Sequence, residues 1–308
     1  MGSASIRSTH FLSLYGESMK NTDILSSVKN ILLPQGILTG AIPLSECRIT
    51  KPYLLDKCGI STTDGTAIML AVPYVVSDIA RGEHNVSLYA AAKDYHLFFN
   101  RLSDTLLPHL SLEFPQVSFA IFADHSPIDE IDAAVRAGLG VKGQNGLLLT
   151  REYGSFVFIG EIVTNALVEC EGYIPRSEKL PQCSNCGSCL ASCPAGCIAD
   201  SRDGCLSALT QKKGELTPCE QVALASHSLV WGCDECQLAC PINQKILKDN
   251  VSTGVEFFRK DLTPWLDEET VKSMSDDEFS SRAYAWRGKD AVLRNIKLKN
   301  TDGRDSLC

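Results

Sequence analysis

Cys183, Cys186, Cys189 and Cys193, spaced C-x2-C-x2-C-x3-C and closed by Pro194, constrain this chain more than any other stretch. Three thiolates this close can wrap one face of an iron–sulfur cubane, while the fourth, set before a chain-turning proline, points away towards a second cluster. Another run, Cys233-x2-Cys236-x3-Cys240-Pro241, repeats the tail of the first but lacks one member, which Cys205 between the runs supplies. The spacing predicts two [4Fe-4S] clusters with crossed ligation. One takes Cys183, Cys186, Cys189 and Cys240; the other takes Cys193, Cys205, Cys233 and Cys236. Cys197 and Cys219 are alternatives to Cys205 as the eighth ligand. Structural zinc is the competing reading, but zinc sites use separated C-x2–4-C pairs rather than a run of four ending in Cys-Pro.

Ten of the 14 cysteines fall between Cys183 and Cys240, a clustering that reads as metal binding rather than a disulfide framework. Cys47, Cys58, Cys170 and Cys308 read as ordinary thiols, since free cysteine packs as a small hydrophobe. Residues 1–20 have no compact apolar stretch before a cleavage site and are expected to form a flexible leader. No window approaches the roughly 18–20 continuous apolar residues of a membrane span. The expectation is a cytoplasmic protein. A net charge of −8 argues against broad nucleic-acid affinity, although Arg282, Arg287, Lys289, Arg294, Lys297 and Lys299 leave room for a local basic patch. A solvated helix face is the plainer reading of that run.

Upstream of residue 172, apolar runs alternate with helical patterns, an α/β or α+β arrangement. Thr66–Val76, Val117–Ala123 and Ser155–Val163 read as strands, the last with Glu161 at its end, and Val86–Leu107 has helical spacing. Ser126 and Asp129 form a capping box with Pro127 at the first helical position, predicting a helix from Ser126 to Gly140. Gly138, Gly140, Gly143 and Gly146 then make a loop able to approach a ligand closely. Residues 21–172 are expected as one domain, 173–250 as a cysteine-bound one, and 251–308 as a short helical segment.

A reducing centre needs a proton source. Asp124, in a polar loop between a strand and a helix, is the candidate; a plain turn carboxylate is the alternative. Burial would raise its pKa and a helix N-terminus would lower it, so the sign stays open. Asp94-Tyr95-His96 is a second candidate group, but it does not fit the D-x-H-x-x-G pattern for histidine ligation of cobalt, because position 99 is Phe.

Taken in order, several segments resemble the epoxyqueuosine reductases, cobalamin-dependent iron–sulfur enzymes of tRNA modification related to the reductive dehalogenases. They are Asp94–His96, Asp124-x-x-Pro127, RAGLG at 136–140, Gly143-x-Asn145, EYGSFVFIGE at 152–161, both cysteine runs, CLSALTQKKGEL at 205–216 and WRG…LRN at 286–295. The resemblance implies a nitroreductase-like cobalamin domain, a bacterial ferredoxin-like two-cluster domain and a helical C-terminus. Cobalamin would lie base-off between them with no protein ligand to cobalt. A cluster would reduce it to Co(I), and Asp124 would donate the proton. Asp94, Tyr95, His96, Gly143, Gln144, Asn145, Leu148, Ile159, Ser207 and Gln211 would contact the cofactor, and Lys212 and Lys213 the substrate. Electrons would come from a ferredoxin or flavodoxin, the substrate would be tRNA, and the protein would be a monomer.

The chain departs from the family in Val141-Lys142-Gly143-Gln144-Asn145, where Trp-x-Gly-Lys-Asn is usual, and in Asp129-Glu130, where Glu-Arg is usual. The helical-repeat extension of longer members is also expected to be absent. These departures keep two alternatives in view: a divergent short paralogue reducing a small molecule, as reductive dehalogenases do, and a pure electron-transfer protein.

Overall fold

The computed structural model describes residues 22–198 and 204–300. The expected leader at 1–20 and Cys308 lie outside these residues. A four-stranded sheet organises the first half: β1 (Leu38–Pro43), β2 (Thr66–Pro73), β3 (Phe119–Phe122) and, beyond a small hairpin of β4 (Val141–Lys142) and β5 (Leu148–Leu149), β6 (Val157–Thr164). The order is β1-β2-β6-β3 and every neighbouring pair is antiparallel. The helices therefore do not serve as parallel crossovers, and the half is α+β.

All eight residues of β2 are buried because both faces of the sheet are covered, which is why the segment reads as an unbroken apolar run. Ile68, Leu70 and Val72 face α1 (Thr22–Leu32) and α2 (Tyr95–Glu113), while Ala67, Met69 and Ala71 face α3 (Glu130–Arg136). Gly160 lets α2 close on the sheet: a Cβ there would lie 2.4 Å from Phe99 and 2.8 Å from the Phe122 carbonyl oxygen.

Two helices begin later than their sequence patterns predict. The helix expected over Val86–Leu107 starts at Tyr95, where the Asp94 carboxylate accepts from the His96 N–H at 2.9 Å. Leu88–Ala90 is a short 3-10 turn instead, and its apolar residues are divided between two cores. The helix expected from Ser126 starts at Glu130, with Asp129 as its cap. Ser126 does not cap because its hydroxyl is engaged elsewhere, donating to Glu161 at 2.5 Å and accepting from Ile128 N–H at 3.0 Å. The Pro127 carbonyl accepts from Thr50 and Lys51, so tertiary bonds keep 126–129 out of the helix. β1 gave little sequence signal: Gly40 and Pro43 weaken a strand pattern, and the strand lies at the sheet edge.

Among the described residues from 182 to 243 the chain is short helices and turns, none of those helices longer than Pro218–Ser226. Polar bonds seam it to the sheet half. Asn243, fully buried, accepts from Ser155 N–H at 2.8 Å and donates to Ser155 Oγ at 2.7 Å and the Gln237 carbonyl at 2.8 Å. Gly154, at φ +59°, leaves the room: a Cβ would sit 2.0 Å from Asn243 Oδ1. Asp234, also buried, accepts from Ser87 Oγ at 2.5 Å and Leu88 N–H at 2.7 Å. The closing α4 (Lys289–Asn300) adds Val292 and Ile296 to an apolar cluster with Trp231, Tyr284 and Val86. No described helix is long and apolar enough to cross a membrane.

Candidate redox and proton-donor site

Two cavities gather the cysteines. One is lined by Cys183, Cys186, Cys189 and Cys240, with Gly143, Gln144 and Asn145 from the glycine loop. The other is lined by Cys193, Cys205, Cys233 and Cys236, the second expected set, together with Cys197. Cys193 and Cys197 lie 3.7 Å apart at sulfur, so both alternatives for the eighth ligand, Cys197 and Cys205, border that cavity. Cys219 does not line it. Asn145 is buried and borders both cavities. The Gln144 N–H points at Cys183 Sγ at 3.3 Å, the kind of bond that tunes a cluster sulfur.

The third cavity, about 670 Å³, lies beside the second and shares Tyr89 and Ser207 with it. Val157, Phe158 and Ile159 of β6 give it an apolar surface; Asp94, Tyr95, His96, Asp124 and Glu130 bring titratable groups, and Ser207, Gln211 and Trp286 complete it. Tyr95 stacks on Phe158, with ring centroids 4.4 Å apart and planes 15° apart, which aims its hydroxyl at Asp124 Oδ2 as a donor. His96 Nε2 is 3.5 Å from the same oxygen, and its Nδ1 is 2.8 Å from Asp94 Oδ1. Asp124 has φ +61°, a left-handed conformation that a non-glycine residue rarely takes without support. The support is Glu130, whose Oε1 accepts from the Asp124 N–H at 3.0 Å.

The charges in this cavity follow from these contacts. Bonding to His96 holds the Asp124 carboxyl below its ordinary value, against the opposing effect of partial burial. The bonds to Asp124 and then Asp94 push His96 up to about 10. At neutral pH the stored proton is therefore on the imidazole and Asp124 is a carboxylate, which gives the sign left open by sequence. Burial raises Tyr95, keeping its phenol protonated.

Seven residues singled out from sequence, Asp94, Tyr95, His96, Asp124, Ile159, Ser207 and Gln211, meet in this one cavity. Four others go elsewhere. Gly143, Gln144 and Asn145 border the cysteine cavities, and Leu148 is buried in the core under the sheet. Lys212 is paired with Glu220 at 2.6 Å and Lys213 is exposed; neither lines the cavity. Tyr89, Glu130, Val157, Phe158 and Trp286 were not singled out as site residues, because each has a plain structural reading alone.

Residues 182–243 match the 4Fe-4S double cluster binding domain family. An epoxyqueuosine reductase of Synechocystis sp. is 32% identical over 227 residues, covering 71% of this chain and 73% of that protein. The chain belongs to the epoxyqueuosine reductase family. The family member from Listeria monocytogenes is 30% identical over 241 residues, covering 74% of this chain but only 61% of its own length. A crystal structure of an epoxyqueuosine reductase with a tRNA-Tyr epoxyqueuosine-modified tRNA stem loop shares the fold at TM-score 0.71 and 22% identity, over 93% of this chain and 83% of that one. The family's two-cluster domain accounts for the cysteine-lined cavities, so this chain carries [4Fe-4S] clusters.

Proposed function

We propose that this chain reduces epoxyqueuosine to queuosine in tRNA, drawing electrons through its clusters and working with cobalamin in the 670 Å³ cavity. The observation that carries the reading is adjacency: the cavity holding Asp124, Tyr95 and His96 shares Tyr89 and Ser207 with a cysteine-lined one. Removing an epoxide oxygen as water takes two electrons and two protons. The clusters on one side supply the two electrons one at a time; the ion pair on the other supplies one proton, and solvent water supplies the second. The tRNA stem loop bound by the structural relative supports the choice of substrate.

The residues fit cobalamin without a protein ligand to cobalt. Both ring nitrogens of His96 are engaged by carboxylates, and an imidazolium has no lone pair to give a metal. The flat surface of Val157–Ile159, with Tyr89 and Ser207, would hold the macrocycle, and Gln211 would bond its periphery. When bound, cobalamin supplies a strongly reducing, nucleophilic cobalt centre. Asp124 orients the imidazolium and passes its proton to the leaving oxygen, while Tyr95 holds Asp124 in line. Cys183, Cys186, Cys189 and Cys240 would hold the cluster on the donor side, and Cys193, Cys205, Cys233 and Cys236 the one beside the cavity. Residues 21–172, 173–250 and 251–308 would then act as proton-donating, electron-relaying and supporting segments. A ferredoxin- or flavodoxin-type donor would feed a monomer in the cytoplasm.

Anaerobic protein reconstituted with iron, sulfide and cobalamin, then given a reductant and epoxyqueuosine-bearing tRNA, should yield queuosine by nucleoside mass spectrometry. Unchanged epoxyqueuosine from protein holding about eight irons and bound cobalamin would overturn the tRNA reading.

A further inference from the structure

Glu161 stands mid-way along β6, between Met69 of β2 and Phe122 of β3, and is a fully buried carboxyl between two apolar neighbours. One carboxyl oxygen accepts from Ser126 Oγ; the other, Oε2, is buried and has no donor. Its carboxyl lies within bonding reach of Glu130, so the pair is satisfied only if a proton lies between them. Glu130 in turn is the acceptor for the Asp124 N–H, at the residue forced to positive φ. A chain of contacts thus runs from the sheet interior to the proton-donor loop: Ser126, Glu161, Glu130, Asp124.

We infer that Glu130 and Glu161 share one proton and act together as a positioning device for Asp124, protonated Glu161 fixing Glu130 and ionised Glu130 fixing the left-handed Asp124 backbone. The inference rests on the proposed reduction only in naming Asp124 as the group positioned. Neither glutamate is a catalytic residue here; both act through Asp124. Burial raises both carboxyls, Glu161 well above its ordinary value and Glu130 to about 7, and the mutual charge raises Glu161 further. The other groups facing the pair are Lys51, which favours ionisation of both, Asp124 and Asp129, which oppose it at Glu130, and the buried Cys47 thiol beside Glu161. A second proton on the pair turns a charge-assisted acceptor into a neutral one, and the hold on the strained turn weakens. The loop is therefore held on the alkaline side of neutrality and released on the acid side.

Infrared spectroscopy of the substrate-free protein reads the shared proton without any turnover, so it separates this inference from the assignment of the reaction. Wild type should show the C=O stretch of a buried carboxylic acid at about pH 8, gaining intensity as pH falls through about 7. Glu161→Gln, nearly isosteric, should lose the alkaline band. A wild-type protein without that band, or a band unchanged in Glu161→Gln, would overturn the pairing. In turnover, Glu161→Gln gives Glu130 a fixed amide donor, so the acid limb of the kcat profile should move down by about one pH unit or more, with KM unchanged. Glu130→Gln should abolish that limb and lower kcat about tenfold while KM stays within about twofold. An acid limb at the wild-type position in Glu161→Gln would sink the positioning role, and because that variant keeps the packing volume, the result stands even if Glu130→Gln fails to fold.

Discussion

Between the sheet half and the cysteine segment the source of order differs. β2 buries eight residues in a row and anchors apolar clusters on both of its faces. In 182–243, by contrast, Val230 and Trp231 are the only buried residues, among those described, that belong to an extended apolar cluster, and that cluster is completed from other parts of the chain. Helices of four to nine residues, such as Ser188–Ala191 and Pro218–Ser226, are too short to hold themselves. Thiolate–iron bonds must replace the missing core. Under the proposed reaction, function would divide along the same line, with electrons handled by the cysteine half and protons by residues 94–130 of the sheet half.

Stripping the metal tests that contrast most severely. Chelation under reducing conditions should abolish turnover and remove amide hydrogen-exchange protection across 182–243, while β2 and β6 keep theirs. Protection lost from both regions together would mean that the sheet half also depends on the clusters. Next in size is Asp124→Asn. It should keep iron and cobalamin yet lower kcat by about 10²–10⁴-fold, the span of a lost general acid. The same change removes the largest stabilisation of the His96 imidazolium, so by NMR its pKa should fall from about 10, leaving only Asp94 to hold it up. Because the folded value lies above the ordinary histidine value of 6.5, the stabilisation from this ion pair is full below that value and lost as pH rises through about 10.

The seam between the halves comes third. Asn243→Ala leaves the Ser155 N–H and the Gln237 carbonyl without their partners in a buried site. It should cost about 3 kcal/mol in the denaturant unfolding of the cluster-loaded protein, the scale of one or two unsatisfied buried groups. A cost under about 0.5 kcal/mol would show that metal, not the seam, joins the halves.

Much of this division was legible in the sequence, and what was not has identifiable causes. The cysteine runs were legible because cubane geometry tolerates few spacings, and each expected set of four lines one cavity, with Cys197 beside Cys205 in the second. β2 was legible because burial on both faces leaves an unbroken apolar run, and β6 because its run is apolar but for Glu161 and the terminal Thr164. The start of α3 was not, since a capping-box pattern at Ser126 competes with a distant carboxylate that sequence spacing cannot pair with it. Glu161 carried a signal, a charged residue inside an apolar strand, but its meaning depends on Glu130, 31 positions earlier at the start of α3. The sign of the Asp124 shift likewise depends on His96 from another element, and no local pattern encodes it.

The smallest expected effect concerns the 212–214 turn, a surface where the cysteine half would meet an anionic partner under the proposed function. Arg294 donates to the Lys212 and Gly214 carbonyls at 2.9 and 2.8 Å, holding the 212–214 turn, and Arg287 lies 3.5 Å over the Trp286 ring at the cavity. Lys212 already has its charge partnered by Glu220, whereas Lys213 is exposed on the same turn. Lys213→Gln should therefore weaken tRNA binding by about three- to tenfold at low salt and reduce the slope of log affinity against log salt by about one, as loss of a single phosphate contact does. Lys212→Gln should do less, because its ammonium must leave Glu220 before it can serve a phosphate. Equal and negligible effects of both on binding measured across a salt series would mean that tRNA approaches from another face, and that the turn belongs to the scaffold of the cysteine half rather than to its surface.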